Sequence, residues 1–213
     1  MKVSAIIRYR NEEEWIGHAI QSFIDFFPDG EIIAINNDST DSSSDIIKLF
    51  DRFDITKINI DNYSPGRALN IGVEYAKNDV ILVQSAHTIL KHIDSANTEK
   101  NINKYAAIFG NQTPFYLGKR VTKRYIWSHF KDNLQIENMF SEIENRYFLH
   151  NAFCFYQNDI LKKYKFDENL HGKEDRYWAA DLVKQGHKYL YDSINLSSHH
   201  HYTKNGATWK GLG

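Results

Sequence analysis

VSAIIRYRNEEEWIGHAIQSFIDFFPDGEIIAINNDSTDSS, residues 3–43, changes its hydrophobic period twice. Val3–Ile7 is a short apolar run rich in β-branched residues, the pattern of a strand buried on both faces. Ile16, Ile20, Phe23, Ile24 and Phe27 then recur at helical spacing. Glu12, Glu13 and Glu14 stand ahead of them, where carboxylates favour a helix N-terminus. Pro28-Asp29-Gly30 closes the helix. Glu31–Ile35 reads as a second strand, followed by a polar turn over Asn37–Ser44.

The alternation continues outward. Ile46, Ile47 and Phe50 mark a short helix and Ile55–Ile60 a third strand. Ser64-Pro65-Gly66 opens a helix carrying Ala68, Leu69, Ile71, Val73 and Ala76, and Val80–Val83 is a fourth strand. Repeated β-α units argue for a parallel sheet with helices on both faces. Ligands of such sheets lie beyond the carboxyl ends of the strands. That rule nominates residues 8–11, 36–41, 61–67 and 85–87 before any chemistry is considered.

The second half is less regular. Ala106–Phe109, Phe153–Tyr156 and Tyr189–Tyr191 read as strands, and Ile160–Tyr164 and Glu174–Gln185 as helices; residues 112–147, charged and aromatic, give no clear period. The 213 residues suit one domain, 1–213, with residues 1–92 as a first half and 93–213 as a second. A net charge of −1 gives no reason to expect nucleic-acid binding. The single cysteine, Cys154, cannot form an intrachain disulfide, and MKVSAIIRYR reads as a strand and not a signal peptide. Both suit a cytoplasmic protein. Lys119-Arg120 and Lys123-Arg124, beside Tyr116, Tyr125 and Trp127, would suit peripheral contact with the inner membrane surface.

Four segments in order, 3–22, 31–43, SPGRALNIGVEYAKNDVILVQSAH (64–87) and FDENLHGKEDRYWAADLVKQG (166–186), resemble the family 2 glycosyltransferases. The likeness covers residues 1–92 and, less closely, 148–192. It implies an α/β protein of the GT-A fold: a Rossmann-like, mostly parallel sheet flanked by helices, with a smaller acceptor-side region drawing on residues 112–150. It implies an inverting enzyme that moves a sugar from a nucleoside diphosphate donor to a hydroxyl of a glycan or glycolipid, in surface polysaccharide or glycolipid assembly.

The resemblance also assigns residues. Asn36, Asn37 and Asp38 match the turn that holds the base and ribose; the alternative is that they only shape an Asx-type turn. Tyr9 and Asn11 follow the first strand, and Tyr9 either stacks on the base or packs inward. Arg67, at a helix start, suits a diphosphate or is a solvated helix-end arginine. Within Glu174-Asp175, Asp175 matches the family's general base, with Gly172 ahead of it giving the chain room to approach a ligand; the alternative is a pair of acids favouring a helix N-terminus.

The fourth strand departs from the family. Where Asp-x-Asp is usual, the chain has Ser85-Ala86-His87, placing His87 where the last carboxylate would bind a divalent metal, Mn or Mg. Imidazole suits borderline ions better than Mg²⁺. If residues 199–201 are extended, His199 and His201 share a face and His200 points away, so that His199 and His201 become further candidate ligands; the alternative is that His87 is a hydrogen-bonded core histidine and the run a solvated tail. The departure also motivates a rival reading, a non-catalytic nucleotide-binding protein. A dinucleotide-dependent oxidoreductase is disfavoured, because RYRNEE after the first strand holds no Gly-rich phosphate turn.

Overall fold

The computed structural model describes residues 1–121 and 125–202. Its first half follows the expected alternation: β1 (Val3–Tyr9), α1 (Ile16–Phe26), β2 (Glu31–Asn36), α2 (Ser43–Lys48), β3 (Ile55–Asn59), α3 (Pro65–Tyr75) and β4 (Val80–Ser85). These four strands are mutually parallel, in the order β3-β2-β1-β4. β1 is covered on both sides, and its residues divide by parity. Ile6 enters one core with Leu69, Trp178 and Leu182; Ala5 and Ile7 enter the other with Ile16, Ile20 and Ile47.

The second half comprises β5 (Thr88–Ile93), α4 (Ser95–Ile102), β6 (Ala107–Phe109), β7 (Asn111–Tyr116), β8 (Lys119–Arg120), a 3-10 turn at Tyr125–His129, β9 (Gln135–Glu137), β10 (Phe140–Ser141), β11 (Arg146–Tyr147), β12 (Phe153–Gln157), α5 (Asn158–Lys163), α6 (Glu174–Lys184), β13 (Tyr189–Asp192) and β14 (Leu196–His201). It extends the main sheet to β3-β2-β1-β4-β12-β6-β13-β9, with β12 antiparallel to both β4 and β6. It also builds a second sheet, β5-β14-β7-β8.

Two local details position the site. α3 is capped by Ser64, whose hydroxyl accepts the Arg67 N–H at 3.2 Å, with Pro65 in the first turn. α1 has no acidic residue in its first turn. Glu12 instead turns inward, its carbonyl accepting the N–H groups of Trp15 and Ile16, and the residue is 8% exposed. The acidic run therefore supplies a buried carboxylate at the sheet's rim in place of a helix-dipole partner.

Candidate active site

β1 and β4 end side by side, with Arg8 opposite Ser85. Beyond their tips lies a cavity of about 520 Å³ lined by Arg8, Tyr9, Arg10, Asn11, Glu12, Asn37, Tyr63, Ser85, Ala86 and His87. A second cavity of about 290 Å³ shares Arg8, Ser85 and His87 and continues to Trp127, His150, Asn151, Glu174, Asp175 and His200. The two are compartments of one cleft. The sheet ends thus bring His87 and the acidic pair at 174–175 to one place.

The first compartment uses some expected residues and not others. Asn11, Asn37, Ser85 and Ala86 line it. Asn36 and Asp38 do not. Asn36 forms the Asx turn, accepting the Ser39 N–H at 2.9 Å and donating to Asn59 at 3.0 Å; Asp38 is exposed at φ 52°. Tyr9 reaches the wall but is only 5% exposed, with its hydroxyl on Ser44 at 3.2 Å. Tyr63, 36% exposed, offers the open aromatic face instead. Arg67 lines neither compartment and points to Glu168 at 3.7 Å, both half-exposed. The guanidinium at the shared wall belongs to Arg8, which donates to the Pro65 carbonyl at 3.0 Å and to Glu174 Oε1 at 3.3 Å. The strand-end rule reached Arg8 as part of 8–11; its pairing with a residue 166 positions away had no signal in the sequence.

His87 is held by a carboxylate. Its Nδ1 lies 2.9 Å from Glu12 Oε1, which leaves Nε2 for the cleft. The expected partners His199 and His201 are a correction. β14 does alternate, but in the opposite phase: Leu196, Ser198 and His200 are buried. His201 stacks on Trp15 at 3.9 Å and His199 packs on Phe115. His200, paired in register with Thr88, sits edge-on to His87 with ring centroids 4.7 Å apart and lines the second compartment. Insertion of β14 between β5 and β7 sets that phase, which the run of three histidines could not reveal.

Among the described residues, no three His, Cys, Asp or Glu side chains are grouped to hold a metal ion. The nearest donors are two imidazoles, with Glu12 behind one of them, an arrangement typical of metal-ligating histidines. Nitrogen donors are of the kind a borderline ion takes and do not suit Mg²⁺, which demands oxygen ligands; His200 Nδ1 already lies 3.3 Å from Thr88 Oγ1.

Asp175 opens α6, 5% exposed. Its Oδ2 accepts the Asn151 N–H at 3.0 Å and Arg176 Nη1 at 2.8 Å; its Oδ1 accepts the Arg176 backbone N–H and Nη1, each at 2.9 Å. Burial alone would raise this carboxyl, but Arg176 and His150 hold it below its ordinary value, so it is ionised at neutral pH. His150 is pushed down to about 3, by burial first and then by Arg176, and is neutral there. Gly172, at φ 151°, and Lys173, at φ 60°, shape the turn into α6. A Cβ at Gly172 would meet nothing within 4 Å, so backbone conformation and not close packing favours glycine there. Trp127, from the segment with no sequence period, forms the opposite wall, its Nε1 donating to Tyr202 at 2.9 Å.

The glycosyl transferase family 2 model matches residues 4–165, most of the chain. The chain belongs to glycosyl transferase family 2. No match to it was found among curated protein sequences. Among solved structures, S. aureus TarS 1-349 in complex with UDP-GlcNAc superposes with a TM-score of 0.73 at 19% identity, over 96% of this chain and 59% of that one. The UDP complex of TarS 1-349 gives 0.71 at 19%, over 95% and 61%. The mannosyltransferase PcManGT from Pyrobaculum calidifontis, in complex with GDP-Man and Mn²⁺, gives 0.67 at 14%, over 96% and 58%. These likenesses establish the GT-A fold for this family 2 chain, which spans about three-fifths of the length of those chains. Lys123, Arg124 and residues 203–213 lie outside the described residues. Among those described, no helix is long and apolar enough to cross a membrane.

Proposed function

We propose that this chain transfers a glycosyl group from a nucleoside diphosphate sugar to a hydroxyl acceptor, with inversion at the anomeric carbon. The observation that carries the reading is the single cleft whose two compartments share Arg8, Ser85 and His87. In this reading the nucleoside occupies the larger compartment, against Tyr63, Asn37 and Asn11. The diphosphate meets Arg8 and His87 at the shared wall, where fixed positive groups stabilise developing negative charge. The sugar enters the smaller compartment beneath Trp127, and the acceptor hydroxyl lies against Asp175.

The ionised Asp175 takes the hydroxyl proton. The freed oxygen bonds to the anomeric carbon as the bond from that carbon to the phosphate oxygen breaks, and the electron pair leaves on the diphosphate. Glu174, tied to Arg8, keeps the acid pair and the diphosphate wall in register. His87 and His200 would hold a divalent ion such as Mn²⁺, which supplies further charge neutralisation on the leaving group. The UDP-GlcNAc and GDP-Man complexes of the structural neighbours support the donor class. A glycan or glycolipid acceptor, surface polysaccharide assembly and work at the cytoplasmic membrane face follow from the same reading.

A panel of nucleoside diphosphate sugars, tested by thermal shift with and without Mn²⁺ and then by nucleoside diphosphate release, tests this. One donor should raise the melting temperature and be turned over, and Asp175→Asn should bind that donor while losing turnover. The rival, a nucleotide-binding protein without turnover, rests on Ser85-Ala86-His87 standing where the family has Asp-x-Asp. Binding without release in the wild type would favour it.

A further inference from the structure

Asp175, read above as the base, presents a difficulty: four hydrogen bonds already draw on its charge. A carboxylate so engaged is a poor proton acceptor unless something releases it. Behind it lies a buried row of charges. Arg176 is 5% exposed, and the side chain of Glu144, from the turn between β10 and β11, is 4% exposed. Arg176 grips both oxygens of Asp175, yet its Nε stands 3.7 Å from Glu144 Oε2 and has no hydrogen-bond partner. Both Glu144 oxygens likewise lack one, with Lys173 Nζ at 3.6 Å. The guanidinium carbon lies over the Phe148 ring, 4.5 Å from its centroid, a surface that offers it no competing hydrogen bond.

A cation bonded tightly to one carboxylate, with a second buried carboxylate just out of range, has two places to rest. We propose that Glu144 is the counter-ion that takes over Arg176 as Asp175 gains the acceptor's proton, so that Arg176 and Glu144 together position the base and release it during transfer. When Asp175 becomes neutral, Arg176 would otherwise be buried without its partner, at substantial cost. Closing the 3.7 Å gap removes that cost and satisfies two orphaned groups together. The other charged or titratable groups around Asp175 are Glu174 on α6, Arg8 from β1, Cys154 and Tyr156 from β12 and the neutral His150. Glu174 is the one other anion among them, and its carboxylate is already bonded to Arg8. Arg176 and Glu144 are positioning residues, acting through Asp175.

Selective ¹³C labelling of aspartate allows the Asp175 carboxyl to be titrated by NMR, assigned as the signal lost in Asp175→Asn. Arg176→Met should move its midpoint upward by about one pH unit or more. The double variant Arg176→Met/Glu144→Gln should bring it part of the way back. Glu144→Gln alone should lower kcat on the order of tenfold while leaving the donor KM within about twofold. If Arg176→Met does not fold, the kcat and KM of Glu144→Gln decide. A folded Glu144→Gln with unchanged kcat, or an Asp175 midpoint indifferent to Arg176 and Glu144, overturns the proposal. Transfer that survives in Asp175→Asn would instead overturn the reading of Asp175 as base.

Discussion

Arg8 Nη1 reaches Glu174 Oε1 across 3.3 Å and joins the tip of β1 to the first turn of α6, two elements 166 residues apart in the chain. Both side chains are mostly shielded, at 18% and 7% exposure. Removing the arginine would leave a buried carboxylate without its counter-charge. Arg8→Ala should therefore lose about 3 kcal/mol of stability, the lower end of the range for a broken buried pair, since Glu174 keeps a 3.5 Å contact with Asn151. Urea unfolding checks this. Arg8→Ala/Glu174→Gln should recover part of the loss.

His87 and Glu12 make a second pair whose removal has a specific signature. Mn²⁺ should tighten nucleoside diphosphate binding to the wild type, and Mg²⁺ should do so far less. His87→Ala should abolish the Mn²⁺ increment. Glu12→Gln should reduce it by about tenfold, the low end of the range for a group behind a metal ligand. Isothermal titration of the nucleotide in Mn²⁺, Mg²⁺ and chelator measures each increment. Equal affinities in all three for the wild type would contradict the role given to His87.

His201 sets a pH dependence of stability. Burial first, then the neighbouring histidines, push it down to about 4 from 6.5, and its Nε2 is buried without a hydrogen-bond partner. Between those two values the unfolded chain binds the proton more readily than the folded one, so stability falls as pH drops through that window. His150, pushed down to about 3, acts in the same direction. His201→Phe keeps the stacking between Trp15 and Phe115 and removes the titration. Its melting temperature should exceed the wild type's by more at pH 5 than at pH 8.

Gly66 stands where α3 opens, and a Cβ there would collide with the Asp167 carbonyl and press on Phe166 at 3.3 Å. That carbonyl is backbone and cannot rotate away. Gly66→Ala should cost about 1–3 kcal/mol, as overpacking does, although alanine is the better helix former. Thermal unfolding measures it, and a neutral result would mean that the segment before α6 yields readily.

The β-α units of residues 3–85 were legible because β1, β2 and β4 are buried on both faces, β3 is half-exposed but carries Ile55 and Ile58, and the helices between them carry apolar stripes. The second sheet was not. β14 pairs with β5 and β7 from far along the chain, and β8, like β9–β11 outside this sheet, is only two or three residues long, so no local period marks the pairing. The same cause explains the site. Asn37, Ser85, His87 and Asp175 sit at element ends that chain order predicts. Which histidine of 199–201 turns inward depends on where β14 inserts. Which way Tyr9 and Arg67 point depends on Ser44 and Glu168, across the fold. Arg8 and His150 gain their meaning only from neighbours that no local pattern names.

In the proposed reaction one cleft holds an activated sugar between the tip of β4 and the start of α6. A crystal structure of the protein with its bound donor tests it most directly. The nucleoside should lie against Tyr63 and Asn37, the diphosphate between Arg8 and His87, and the anomeric carbon in the compartment walled by Trp127 and Asp175. A donor bound in reverse, with its base against Asp175, or bound outside this cleft, would rule that arrangement out.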